Sequence, residues 1–198
     1  MNHLVVECNY QLRQLWVVSR SLSCSAAAAL VHAFMTGRLD NCSSILVGLP
    51  LALIARLDRV LRCAARLIGP LPMLRFQLIT MRDKLHWLPI AQRISYRIAV
   101  LVWRCLLGSV PGYLCELCRP VYGQPGQRSL RSSVTGQLLV PRAATATRQR
   151  RVFSIVGPST WNVLPLEIRF LPKNNESAFC RLLKTDLYRR GWAEGASE

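Results

Sequence analysis

Leu51-Ala-Leu-Ile-Ala-Arg-Leu-Asp-Arg-Val-Leu-Arg-Cys-Ala-Ala-Arg-Leu-Ile68 is the stretch that decides the fold class. Advanced by about 100° per residue, it separates into two faces. Leu53, Leu57, Val60, Leu61, Ala64, Leu67 and Ile68 gather on one side, and Arg56, Arg59, Arg62 and Arg66 on the other. Gly48-Leu-Pro50 is a turn signal before it, and Gly69-Pro70 stops it. The spacing therefore predicts one amphipathic helix over 51–68 with an apolar side for a core. An ordinary solvated face mixes charge signs, with acids and bases paired four residues apart. Here only Asp58 is acidic, so the four arginines repel one another. A phosphate backbone would offset that repulsion, which favours nucleic-acid contact over a merely solvated face.

Helical patterns continue on both sides of this segment. Leu4 to Val18 carries apolar residues with Arg13 on the other side. Ser23 or Ser25 suits the cap of a helix running through Ala26–Ala29 to about Leu39. A short element covers Cys42 to Val47, and Pro72 opens a helix ending near Lys84. Pro89 suits the first turn of a helix over Ile90 to Leu107, which is apolar almost all round and so belongs in a core. Its Arg93, Arg97 and Arg104 form one narrow stripe that must reach a surface or groove, or meet buried acids. Ser109 and Pro111 start a short helix through Cys118.

The composition then changes. Val121 to Arg151 is rich in Gly, Pro, Ser, Thr, Gln and Arg and has no helical period. It reads as a loop or a pair of short strands (Leu138–Val140 for example), with Arg142, Arg148, Arg150 and Arg151 on a basic arm. Phe153 to Pro165 reads as turn-rich, with Trp161 as an aromatic anchor. Asn175 or Ser177 caps a last amphipathic helix to about Arg190, closed by Gly191. The expected organisation is a helical bundle over 1–120, a basic irregular segment over 121–158, a helical extension over 159–190 and a disordered tail over 191–198. The expected fold class is mainly α.

The bulk numbers agree with a folded basic chain. Of 198 residues, 51% are apolar, which argues against disorder throughout, and the formal charge is +16. The 26 basic residues are 23 Arg and 3 Lys. Arginine presents a planar fork of donors that fits phosphate oxygens, so the balance points to a polyanion, either nucleic acid or an anionic membrane surface. A GC-rich coding sequence also enriches arginine, and composition alone does not separate the two. The longest uncharged run, Ser21 to Gly37, is shorter and more polar than the roughly 20 apolar residues of a membrane span. No transmembrane span is expected, and Glu7 sits where a secretory leader would be positive.

The chemistry-bearing residues are scattered. The four aspartates, Asp40, Asp58, Asp83 and Asp186, include no adjacent pair of the kind two-metal chemistry needs. Asp40 and Asp83 sit beside Arg38, Arg82 and Lys84, so local charge balance or capping is expected of them. Cys115-Glu-Leu-Cys118 is a lone C-x-x-C, better read as two positions on one helical face than as a zinc site. The eight cysteines read as free thiols, several of them buried. His32 and His86 read as packed side chains. No phosphate loop or nucleophile elbow occurs. No catalytic residue, metal or cofactor is expected.

Several strings then match in order. They are Cys8-Asn-Tyr-Gln-Leu-Arg13, Ala29-Leu-Val-His-Ala-Phe34 with Arg38-Leu-Asp40, Gly48-Leu-Pro50, and Ala64-Ala-Arg66-Leu-Ile68. Leu85-His-Trp-Leu-Pro89, Arg93-Ile-Ser-Tyr-Arg97, Arg128-Ser-Leu-Arg-Ser-Ser133 and Val140-Pro-Arg142 follow, then Trp161-Asn162, Leu164-Pro165, and Phe179 with Leu183-Lys-Thr185. In this order they resemble the region after the palm in LINE-type (non-LTR) retrotransposon reverse transcriptases, from about Cys8 to Arg190. The family often reads Tyr and Asn where this chain has Asn41 and Ser43. The resemblance implies a thumb, a helical bundle gripping a template–primer duplex, followed by a carboxy-terminal extension. The family's endonuclease, fingers and palm, with the metal-holding aspartates, precede this region, so no catalytic residue carries over.

The expected function is therefore non-catalytic binding of RNA or an RNA–DNA duplex without sequence preference. Arg56, Arg59, Arg62, Arg66, Arg93, Arg97, Arg104, Arg142, Arg148, Arg150 and Arg151 are the candidate contacts. A palm-bearing polymerase chain is a candidate second partner, and the oligomeric state is left open. An intracellular location, nuclear or cytoplasmic, is expected. Two other readings stay open: a reading frame of a decayed element with no activity, and a peripheral membrane protein bound through Arg and Trp on amphipathic helices.

Overall fold

The structure is a computed structural model that describes residues 2–41, 46–68, 80–121, 135–142, 145 and 151–193. The chain is mainly α-helical, and no strand forms among the described residues. Two compact units emerge, Met1–Arg93 with Tyr188–Glu198, and Ile94–Leu187. The divisions fall inside two helices, after Arg93 and after Leu187.

In the first unit, α1 (Asn2–Val18), α2 (Cys24–Val31), α3 (Gly37–Asn41) and α4 (Leu51–Ile68) supply most of the core. Ser23 caps α2, its hydroxyl accepting from the Ala26 amide at 3.3 Å. The expected single helix to Leu39 is instead broken by a wide π turn, His32–Thr36, before α3. α1, α2 and α4 pack on one another. α1 buries Cys8, Leu12 and Leu15, one helical stripe, and α4 buries Leu57, Val60, Leu61, Ala64 and Ala65. Leu53, Leu67 and Ile68, at the edges of the expected apolar face, are half-buried. Fully burying a leucine such as Leu57 or Leu61 contributes about 1.5–3 kcal/mol, which ties the helix to its neighbours. Glu7 on α1 accepts from Arg38 at 3.2 Å.

The expected element at 42–47 and the helix from Pro72 lie largely outside the described residues. What is described is a π turn, Thr80–Lys84. His86 follows in the left-handed region at φ 48°, which lets the Trp87 amide donate back to the Met81 carbonyl at 2.8 Å and close the turn. The His86 ring stands edge-on to Tyr188, centroids 6.0 Å apart.

α5 (Ile90–Leu106) matches its sequence pattern within one residue, and α6 (Gly112–Cys115) is shorter than the expected run to Cys118. In the second unit, Phe153 to Asn162 forms a helix, α7, where the sequence reads as turn-rich. Gly157-Pro158 ordinarily ends a helix. Here both are buried, and a Cβ on Gly157 would lie 3.2 Å from a methyl of Val102 on α5, so glycine permits the close approach. A short α8 (Leu166–Arg169) and α9 (Glu176–Ala193) complete the chain. Asn175 caps α9, its Oδ1 accepting from the Ala178 amide at 2.9 Å, and the helix runs past Gly191, the expected stop. Trp103, Trp161 and Phe179 stack at the centre of the unit, with Trp103 and Phe179 centroids 4.1 Å apart and planes 12° from parallel.

Among its described residues, the stretch expected as a loop or a pair of short strands holds one isolated antiparallel bridge, Pro120 with Leu138. The Val121 amide donates to Gln137 and the Leu139 amide to Arg119. Leu138 therefore turns its own amide and carbonyl the other way, and Asn162 takes both: Oδ1 accepts from the amide at 2.8 Å and Nδ2 donates to the carbonyl at 2.9 Å. Trp161 adds a bond from Nε1 to the Gly136 carbonyl at 3.0 Å. A side-chain amide thus does for Leu138 what a third strand would do.

Candidate nucleic-acid interface

The arginines of α4 fall on the side away from its core. Arg56, Arg59 and Arg66 are exposed and Arg62 is half-buried. At a rise of 1.5 Å per residue they extend over about 15 Å of helix. Asp58, the acid of this helix, is engaged at α5: its Oδ1 accepts from the Ile90 amide at 3.0 Å and so caps the start of α5, with Arg62 of the same helix still close enough to act on its charge. Burial raises its pKa above the ordinary carboxylate value, against the opposing pull of that amide and of Arg62 and Arg93. The consequence is a helix side that carries four guanidiniums and one carboxylate, the latter bonded to the Ile90 amide.

The stripe on α5 does not stay together. Arg93 is 9% exposed, with Nε donating to the Leu88 carbonyl at 2.8 Å and NH1 to Asp40 at 3.0 Å. Its guanidinium also lies 5.9 Å from the Trp87 ring centroid. A buried, bonded arginine of this kind is not offered to phosphate, and Asp40 reaches across 53 positions rather than to its neighbour Arg38. Asp83 does pair locally, 2.7 Å from Arg82. Arg97 and Arg104 are both exposed, and Arg104 pairs with Glu176 at 2.8 Å. Arg142 and Arg151 are exposed in the second unit, and Arg148 and Arg150 lie outside the described residues. The structure thus groups Arg56, Arg59, Arg62 and Arg66, and removes Arg93 from the accessible set.

A groove opens between α1 and α4, with a volume of about 470 Å³. Asn9, Leu12, Arg13, Trp16, Cys63 and Arg66 line it. Arg13 and Trp16 were not among the sequence candidates. The available signal is their spacing: residues 9, 13 and 16 share the flank of α1 beside its buried stripe, where an arginine and a tryptophan stand three apart. Only the packing of α1 on α4 brings them to Arg66.

Among the described residues no group of three or more His, Cys, Asp or Glu side chains is placed to hold a metal ion. Cys105 and Cys118 are buried free thiols, and burial pushes the Cys118 thiol up to about 12. Also among the described residues, no helix is long and apolar enough to cross a membrane. Arg169 has Nε and NH1 buried without a partner among those residues, and that burial lowers its pKa. Comparison with protein-family models, with curated proteins and with solved structures finds no match to this chain.

Proposed function

We propose that the chain is a basic helical module that binds nucleic acid through its phosphates and performs no catalysis by itself. The observation that carries this reading is the α4 face: Arg56, Arg59, Arg62 and Arg66 on the side opposite the core, with Asp58 engaged by α5. Arginine forks fit phosphate oxygens in two-point fashion, and a helix presenting four of them tracks a backbone without reading base edges. Within that class, the ordered strings from Cys8 to Arg190 favour the post-palm region of a LINE-type retrotransposon reverse transcriptase, with RNA or an RNA–DNA duplex as the ligand and a palm-bearing polymerase chain as companion. Arg97, Arg142 and Arg151, exposed in the second unit, are further contacts in this reading; Arg93 is not.

Reversing Arg56, Arg59, Arg62 and Arg66 together to Glu tests it. Binding to an RNA–DNA duplex should fall to near zero while the helical circular-dichroism signal persists, since none of the four is buried. In the parent chain, log K should fall against log salt concentration with a slope near 3 from these contacts alone, at roughly 0.7–0.9 per phosphate. Unchanged affinity in the reversed variant would sink the proposal.

A further inference from the structure

The groove between α1 and α4 contains an aromatic ring as well as charge, and phosphate neutralisation alone does not account for it. We infer that it receives an unpaired nucleotide of a single strand, with the base stacked on Trp16 and the flanking phosphates on Arg13 and Arg66. This rests on the nucleic-acid reading above and specifies the form of the ligand.

Trp16 is 55% exposed, although it flanks the buried stripe of Cys8, Leu12 and Leu15 on the same helix. An indole left that open offers a flat π surface, and every nucleobase has a matching one. Leu12, 8% exposed, forms an apolar floor under it. Arg13 and Arg66 are exposed on the two helices, and no carboxylate is among the described lining residues. An anion is therefore favoured over a cation or a neutral apolar group. The volume of about 470 Å³ lies within the roughly 300–1,000 Å³ of small-ligand sites. Arg66 belongs to both the groove and the arginine face of α4, so a strand leaving the groove continues past Arg62 and Arg59. A duplex cannot use the groove in this way, because its bases are already stacked on each other and only phosphates face outward.

The test compares three fluorescein-labelled probes on the full chain by anisotropy: an oligothymidylate of about twelve nucleotides, an abasic strand of the same length, and a duplex of the same length. The oligothymidylate should bind at least roughly fivefold more tightly than the abasic strand, the margin expected from stacking one base. Trp16→Ala should erase that margin and leave duplex affinity unchanged. Trp16→Leu keeps apolar bulk without a π face and should also lose the margin, whereas Trp16→Phe should keep most of it. This pattern separates stacking from a structural role for the side chain, even if the alanine variant does not fold. A full margin in Trp16→Leu, or no margin in the parent chain while the duplex still binds, overturns the inference and leaves the arginine-face reading intact. Failure of all three probes to bind overturns both.

Discussion

Asp58 shows how one side chain sets both the packing and the charge of the candidate interface. Its carboxylate caps α5 while Arg62 stays within reach of its charge, and it is partly buried there. Because burial holds the folded-state pKa above the unfolded one, the group favours folding most when protonated, and that contribution is lost as pH rises through the raised value. Asp58→Asn keeps an oxygen to accept from the Ile90 amide and removes the charge. It should be as stable as the parent or slightly more so at neutral pH. The difference should shrink on mild acidification, as the parent carboxyl takes up its proton. Asp58→Ala leaves the Ile90 amide without its acceptor and should cost about 1–2 kcal/mol. Urea denaturation of the three proteins across that pH range measures both effects.

Among the elements, the pairing of Asn162 with Leu138 holds residues 135–142 of the basic segment. Asn162→Ala would orphan an amide and a carbonyl that the Pro120–Leu138 bridge does not serve. Around residues 135–142, amide exchange and protease cleavage should both rise, with a stability loss of about 1–3 kcal/mol. Unchanged exchange at Leu138 would mean the side chain is not what holds it. This pairing was not legible in the sequence, where Trp161-Asn162 reads only as an anchor of unspecified target. α4 was legible to the residue, because its apolar and arginine faces separate at helical period and turn signals bound it. α7 was not, because Gly157-Pro158 breaks helices locally, and only burial against α5 reverses that preference. Nor was the fate of Arg93, whose partner Asp40 is distant in sequence and adjacent in space. The groove is a similar case: Arg13 and Trp16 are visible in the sequence, but their meeting with Arg66 depends on how two helices pack.

For the whole molecule, a net charge of +16 draws any polyanion, so the discriminating measurement is competitive. Flotation with phosphatidylserine vesicles should recover the protein from the vesicle fraction once RNA is added in excess, because the arginine face prefers a continuous phosphate backbone. Retention on vesicles in the presence of RNA would instead favour the exposed apolar side chains of α1, Val6, Tyr10, Val17 and Val18, as a lipid-facing surface. The buried Arg93–Asp40 pair bears on a different property, the order in which the first unit is built. Its partners must meet across a 53-residue loop, a closure that pays its entropy before any reward, whereas the helices inside that loop form from local contacts. If the pair closes after the barrier, it acts on the rate of opening rather than of closing. Arg93, withdrawn from the surface, would then be a latch on the lifetime of the native state.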